Sequence, residues 1–163
     1  MTSAAHRLRD GAPVRTEDVA PGDWLRVTAP DAGDIARLAS LGIPAVLLSH
    51  LHDMDERPRA RRIGDCVLAV LHFPHAQGPD APVPYATLPL SVLVTPRNIV
   101  TVTPAPAAFL DGLASGEIEA GPPEDRARFV LQLMWELVRT YFAALGHTQA
   151  VVDRLENELR RSL

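Results

Sequence analysis

The sequence predicts an α/β fold that runs out into one long C-terminal helix. Two observations carry this reading. Short apolar runs of strand character alternate with segments of helical period between Trp24 and Leu113, and from Glu124 to the last residue a helical pattern continues with no proline to break it. The composition sets the scale. A chain of 163 residues, 47% apolar and 22% charged, can build one domain with a hydrophobic core and lacks the signature of a disordered segment.

Residues 1–23 are polar and carry glycine and proline, so they read as an irregular lead-in with an edge strand around Val14. Trp24–Thr28 (WLRVT) alternates apolar and polar residues, the period of a half-buried strand. Asp31 is placed to cap a helix in which Ile35, Leu38 and Leu41 recur at helical spacing until Gly42. Pro44 opens a second short helix, to about His52, with Val46, Leu47 and Leu51 on its buried side. Pro58 holds Arg57 extended, so Arg59–Ile63 reads as a strand, turned by Gly64 and Asp65 into a second one. That second strand, Cys66–Phe73 (CVLAVLHF), is almost continuously apolar, as a strand covered on both faces should be. Residues 74–84 hold four prolines and a glycine and read as a loop. Thr87–Thr95 and Ile99–Thr103 form an antiparallel hairpin across Pro96, Arg97 and Asn98. A short helix spans Ala107–Leu113, and GEIEAGPP breaks the chain again.

The final helix sets Val130, Leu133, Leu137, Tyr141, Ala144, Thr148, Val151, Leu155 and Leu159 three or four residues apart. Its first half is apolar almost all round; its second narrows to a stripe flanked by Asp153, Arg154, Glu156, Glu158 and Arg160. At 1.5 Å per residue, about 40 residues extend about 60 Å, more than the diameter of a domain this size. The far end is therefore expected to leave the domain. The pattern stops at RRSL without a glycine or proline signal, so the helix is expected to continue or to meet other subunits. The division that follows is residues 1–121 as the α/β domain and 122–163 as the start of the long helix.

Charge and composition exclude several functions. A net charge of −4 argues against a nucleic-acid binder. All 16 basic residues are arginine, which reads as codon bias. No apolar run approaches a membrane span and the N-terminus lacks the apolar core of a signal peptide, so the chain reads as soluble and unexported. Its single cysteine, Cys66, rules out an internal disulfide and sits in the most apolar strand, where a thiol is an inert hydrophobe. Ser49 and His50 are neighbours on a helix and diverge by about 100°. No nucleophile–base pair or phosphate loop can be placed, so the chain reads as a non-enzyme that requires no cofactor.

Metal ligands concentrate in residues 50–56. His50 and His52 lie on opposite sides of a helix and cannot share an ion, and His72 and His75 flank Pro74 as structural or solvated groups. Asp53, Asp55 and Glu56 are candidate ligands for a hard cation; the competing reading pairs them with Arg57, Arg59, Arg61 and Arg62. Trp24 reads as a core anchor and Trp135 as packed helix face, with either able to sit at an interface.

In this order of elements, the sequence resembles the N-terminal cytoplasmic domain of the CorA family of divalent-cation transporters. The resemblance runs from about Asp23 to Leu163. It rests on DW-L-V-T-P at 23–30, LGIPAVLLSHL at 41–51, DMDERPRARRIGDCVLAVLHFP at 53–74, TLPLSVLVTPRNIVTVTP at 87–104 and MWELVRTYFAALGHTQAVVDRLENEL at 134–159. The resemblance implies an α/β/α sandwich with a mixed central sheet, followed by a stalk helix. It also implies continuation into two membrane helices with a Gly-Met-Asn motif, in a pentamer at the cytoplasmic face of the cell membrane. Neither the motif nor the membrane helices are in this chain, so the fragment reads as a soluble regulatory or scaffold domain. The implied cargo is Mg²⁺, with Co²⁺ and Ni²⁺ as further candidates, and the same ions are the ones such a domain could sense.

Members of the family bind regulatory magnesium between subunits through acidic residues on the short helix and the long helix. Aligned on Pro44 and on Tyr141 and Phe142, the matching positions are Leu48, Ser49 and Trp135, none a hard-cation ligand. Sensing at that site is therefore expected to be absent, moved to Asp53 and Asp55, or replaced in a divergent branch such as the zinc-exporting relatives. The remaining alternative is a free-standing α/β protein that self-associates through its last helix.

Overall fold

The computed structural model describes residues 3–9, 12–16, 18–51, 53, 55–78, 81–118 and 121–162. Seven strands, β1 (Ser3–Arg9), β2 (Ala12–Thr16), β3 (Trp24–Thr28), β4 (Arg59–Ile63), β5 (Cys66–Ala76), β6 (Tyr85–Val94) and β7 (Ile99–Thr103), form one sheet in the order β2-β1-β3-β7-β6-β5-β4. Every neighbouring pair is antiparallel except β3 and β7, so the sheet is mixed. Helices α1 (Ala32–Ser40) and α2 (Ala45–Leu48) cover one face; α3 (Ala108–Ser115) and α4 (Arg126–Ser162) cover the other. This is the sandwich with a long terminal helix that the sequence predicts.

Alternation along the strands builds the two layers. Leu25, Val27, Leu68, Val70, Val100 and Val102 point toward Leu38, Leu47 and Leu48. Their neighbours Trp24, Phe73, Leu90, Val92 and Ile99 point the other way, onto Phe109, Leu110, Phe129 and Leu133. Trp24 is the anchor of this second layer. It is 1% exposed, its Nε1 donates to Thr101 Oγ1 at 2.9 Å, and its ring lies 5.1 Å from that of Phe129. Both faces of β5 are covered: Cys66, Leu68 and Val70 enter one layer while Ala69, Leu71 and Phe73 pack in the other.

The local signals at α1 hold. Asp31 accepts from the Asp34 amide at 2.8 Å and Asp34 returns the bond to the Asp31 amide at 3.2 Å, a capping box. The helix stops before Gly42, whose φ of 81° any side chain would resist.

Four readings need correction. The lead-in is a hairpin of two strands: β1 enters the sheet beside β3 with Ala5 fully buried, and β2, which contains Val14, is the edge. Pairing supplies what the polar composition of residues 1–23 conceals. Residues 74–76 extend β5, and β6 begins at Tyr85, two residues before the expected start. Pro74 and Pro89 are tolerated because β4 pairs with β5 only as far as Val70 and β7 pairs with β6 only from Ser91, which leaves each proline beside an open edge. Helix α2 is one turn long, with Leu47, Leu48 and Leu51 buried and Val46 exposed, while His52 lies outside the described residues. Trp135 is 61% exposed, where packed helix face was expected.

A buried polar knot fixes the end of the sheet from which α4 starts. Thr95 Oγ1 accepts from the Asn98 amide at 2.8 Å, and Asn98 Nδ2 donates to the carbonyls of Ala20 at 2.7 Å and Asp23 at 3.1 Å. The β6–β7 turn is thereby clasped to the segment that leads into β3. Arg126 then donates from Nη1 to the Pro96 carbonyl at 2.6 Å and ties the first turn of α4 to the same turn. Asn98→Ala removes the side-chain donor that the two carbonyls share, leaving the Asp23 amide on Ala20 at 3.2 Å and the Ile99 amide on Asp23 at 3.4 Å, and is expected to lower the unfolding free energy by about 1–2 kcal/mol. Urea titration checks this, with the exposed Val83→Ala expected to change it by no more than about 0.5 kcal/mol.

Candidate functional site

Two parts of the molecule could carry function: the link between α2 and β4, and the solvent face of α4. In the link, Glu56 is drawn inward, its side chain only 11% exposed. Oε1 lies 2.7 Å from Arg59 Nε and Oε2 lies 3.2 Å from His50 Nδ1. His72 donates from Nε2 to the Glu56 backbone carbonyl at 2.9 Å, which pins the link against β5. Asp53 and Asp55 stay in solvent, where Asp53 Oδ1 accepts the Asp55 amide at 2.9 Å in an Asx turn. The structure thus separates Glu56 from the other two carboxylates, and among the described residues no group of three or more His, Cys, Asp or Glu side chains can hold a metal ion.

The positions at which the resemblance places regulatory magnesium do not fit that ion. Leu48 is buried in the core under α1 and α2, and Ser49 donates its hydroxyl to the Val46 carbonyl at 3.1 Å. Trp135 stands on α4, across the sheet from both. A hydrocarbon, an engaged hydroxyl and an indole offer no ligand set for a hard cation. Burial, and then the charge of Asp65, push the Cys66 thiol up from its ordinary range, which keeps it protonated and unreactive.

Helix α4 has two apolar faces. Asp125 caps it, its side chain accepting from the Arg128 amide at 3.3 Å. Phe129, Leu133, Leu137 and Ala144 then bury one face against the sheet and α3. Glu136 is buried on this side too and is satisfied there by Gln132 Nε2 at 2.9 Å and by Arg139 at 3.5 Å. Tyr85 meets His147 edge-on near the rim of the sheet, and from Val152 onward every described residue is exposed. Leu155 and Leu159, on the half of the helix expected to leave the domain, are in solvent because the sheet ends before them.

The stripe expected on the protruding half runs back along the first half as a second apolar face, and that extension was not anticipated. Leu131, Val138, Leu145, Val152 and Leu159 recur every seventh residue and are all exposed. Met134 and Leu155 lie between them, and Trp135 and Phe142 widen the stripe at its sheet-proximal end. A strict seven-residue apolar repeat is the seam of helix–helix assembly, because it keeps one line of side chains facing a partner. The signal was present in the sequence, hidden by a first half that is apolar all round.

A family model for the CorA-like Mg²⁺ transporter protein matches residues 21–163. No curated protein matches the chain by sequence. Among solved structures the chain is similar to the soluble domain of CorA from Methanocaldococcus jannaschii, with 16% identity and a TM-score of 0.79 over 96% of this chain and 64% of that one. It is similar to the complete CorA magnesium transporter of the same organism, with 17% identity and a TM-score of 0.75 over 98% and 51%. The ZntB cytoplasmic domain from Vibrio parahaemolyticus gives 13% identity and a TM-score of 0.73 over 93% and 63%. At these identities the likeness establishes the fold, and the chain spans less than two thirds of each of these structures.

The account of the link makes one prediction. Glu56→Ala removes the partner of both His50 and Arg59 and is expected to cost about 1–3 kcal/mol in urea unfolding, whereas Asp55→Ala at the exposed turn is expected to cost no more than about 0.5 kcal/mol.

Proposed function

The chain belongs to the CorA-like Mg²⁺ transporter family, and from that premise we propose that it forms the cytoplasmic regulatory or scaffold domain of a divalent-cation transporter. In this reading α4 is the stalk. It joins copies into a homo-oligomer, a pentamer in the full-length protein, and carries the domain's movements toward a pore at the membrane. The cargo is Mg²⁺, with Co²⁺ and Ni²⁺ as other ions of suitable size and charge, and no cofactor or nucleic acid takes part. The observation that carries the proposal is the exposed heptad stripe from Leu131 to Leu159, which extends beyond the sheet that buries the opposite face of the helix. No helix of the described chain is long and apolar enough to cross a membrane.

A second reading, a domain of a zinc-exporting branch, is supported by the fold likeness to the ZntB cytoplasmic domain and by the non-acidic residues at Leu48, Ser49 and Trp135. The two readings share the assembly and differ in the ion.

Sedimentation of the chain from micromolar to millimolar concentration tests the assembly. The expected result is reversible self-association that the double variant Leu145→Asp, Val152→Asp abolishes without changing the circular dichroism of the monomer. A monomer at every concentration, or association insensitive to that variant, contradicts the stripe as the seam. Cells expressing the complete gene product are expected to lose cation uptake with the same variant.

A magnesium titration separates the regulatory possibilities. With Glu56 engaged, Asp53 and Asp55 are the described carboxylates of the link left to meet a cation, so at constant ionic strength no saturable rise in Tm is expected below millimolar Mg²⁺. A strong saturable rise abolished by Asp53→Ala but kept by Ser49→Ala would place a sensing site in the link instead.

A further inference from the structure

On the α3 side of the sheet, three adjacent strands bring basic groups together. Arg15 on β2 is opposite His6 on β1, His6 is opposite Trp24 on β3, and Arg26 lies two residues beyond Trp24. Side chains directly opposite in an antiparallel pair share a face, as do residues two apart on one strand, so Arg15, His6, Trp24 and Arg26 all project the same way. On β7, Thr103 is one diagonal step from Arg26, because Arg26 pairs with Thr101. Helix α3 packs beside this cluster, and its Asp111 pairs with Arg26 Nη2 while remaining largely in solvent.

Three buried polar atoms here have no partner among the described residues: His6 Nδ1, Arg26 Nε and Thr103 Oγ1. His6 is 8% exposed and Thr103 is fully buried. Arg15, at the exposed edge of the sheet, makes no hydrogen bond or ion pair among the described residues. Two guanidinium groups and an imidazole therefore lie together, with the exposed Asp111 carboxylate on one of them, around buried polar atoms that have no protein partner among the described residues. Buried polar groups in this state call for a ligand that accepts hydrogen bonds and carries negative charge.

We propose that this cluster binds a tetrahedral oxyanion of the phosphate or sulfate class, with Arg15 and Arg26 as its charged donors, His6 between them and Thr103 beneath. The arrangement also makes binding depend on pH. Burial foremost, then Arg26 and Arg15, hold the His6 imidazole below its ordinary value. Among the described residues, the charged groups acting on it are Arg26 from β3 and Arg15 from β2, with Asp111 from α3 on Arg26; from α4, the apolar Phe129 packs against Trp24. Without a ligand, His6 stays neutral in the folded chain while the unfolded chain takes a proton below about pH 6.5, so stability is full above that pH and falls as pH drops toward the lowered folded value. An anion beside the ring reverses this by favouring the imidazolium, and binding then takes up a proton.

Thermal unfolding of the whole chain in sodium sulfate against sodium chloride at matched ionic strength tests the proposal. Sulfate keeps its charge between about pH 6 and about pH 8, so any change of affinity over that range reports the protein. A saturable rise in Tm is expected, stronger at the lower pH. Arg26→Gln and Arg15→Gln are each expected to weaken apparent affinity about tenfold or more. His6→Gln should retain a response that no longer varies with pH. Arg15 lies at the exposed edge, so its variant decides the matter even if Arg26→Gln does not fold. Equal Tm in the two salts, or a sulfate response identical in wild type, Arg15→Gln and Arg26→Gln, overturns the proposal and leaves water as the partner of the three buried atoms. Inorganic phosphate and ADP then separate the sources: ADP binding about tenfold or more tighter through Arg26 assigns a phosphate ester, and equal or weaker binding assigns the free ion.

Discussion

Helix α4 is longer than anything it can lie on. Its 37 residues extend about 55 Å, while the longest strand, β5 with 11 residues, reaches about 37 Å. A helix so mismatched cannot bury its whole length within one domain. Its sequence divides accordingly. Toward the start, Phe129, Leu133 and Leu137 close the second core layer over Trp24 and Ile99, and past Val151 no described residue is even half-buried. What continues along the entire length is the other stripe, Leu131 to Leu159, on the side turned away from the sheet. An exposed row of large aliphatic side chains at a strict repeat is costly to leave in water, and the cost disappears only when another surface covers it.

The rest of the fold can be seen as the support that aims this helix. The knot at Asn98 and Thr95 holds the β6–β7 turn against the entry to β3, and the Arg126 guanidinium seats the first turn of α4 on that same turn. In the one parallel pair among the described strands, β3 with β7, both strands start at this end, Trp24 beside Ile99, so α4 begins where they do. The charged link after α2 belongs to the opposite layer. There Glu56 is consumed in holding His50, Arg59 and the chain beside β5, which explains why a segment so rich in ligand-type residues assembles no metal centre among the described residues.

Much of this was legible in the sequence where one local rule dominates. The capping box at Asp31, the strand at Cys66–Phe73, the β6–β7 hairpin and the unbroken final helix are set by spacing and side-chain chemistry within a few residues. What stayed hidden depends on partners distant in sequence. Ala4, Ala5 and His6 look like an unstructured lead-in until β3 offers an edge to pair with, and Pro74 and Pro89 look like loop residues until the strands beside them end early. The fate of Glu56 was likewise open, since the reading that pairs it with arginine and the reading that gives it to a cation use the same residues. The heptad stripe was masked for a different reason: near Leu131–Leu145 almost every position of the helix is apolar, so the buried face and the exposed one cannot be told apart without the sheet in place.

The central claim is that the outward stripe of α4 is a seam between copies, and hydrogen exchange along α4 as a function of protein concentration tests it most directly. Amides of residues 129–144, held by the core, should be protected at every concentration. Those of residues 145–162 should exchange freely in dilute protein and gain protection as concentration rises, because only a partner can cover them. If residues 145–162 exchange equally fast in dilute and concentrated protein, or are fully protected in both, the stripe is not an assembly surface between copies of this chain and the account fails.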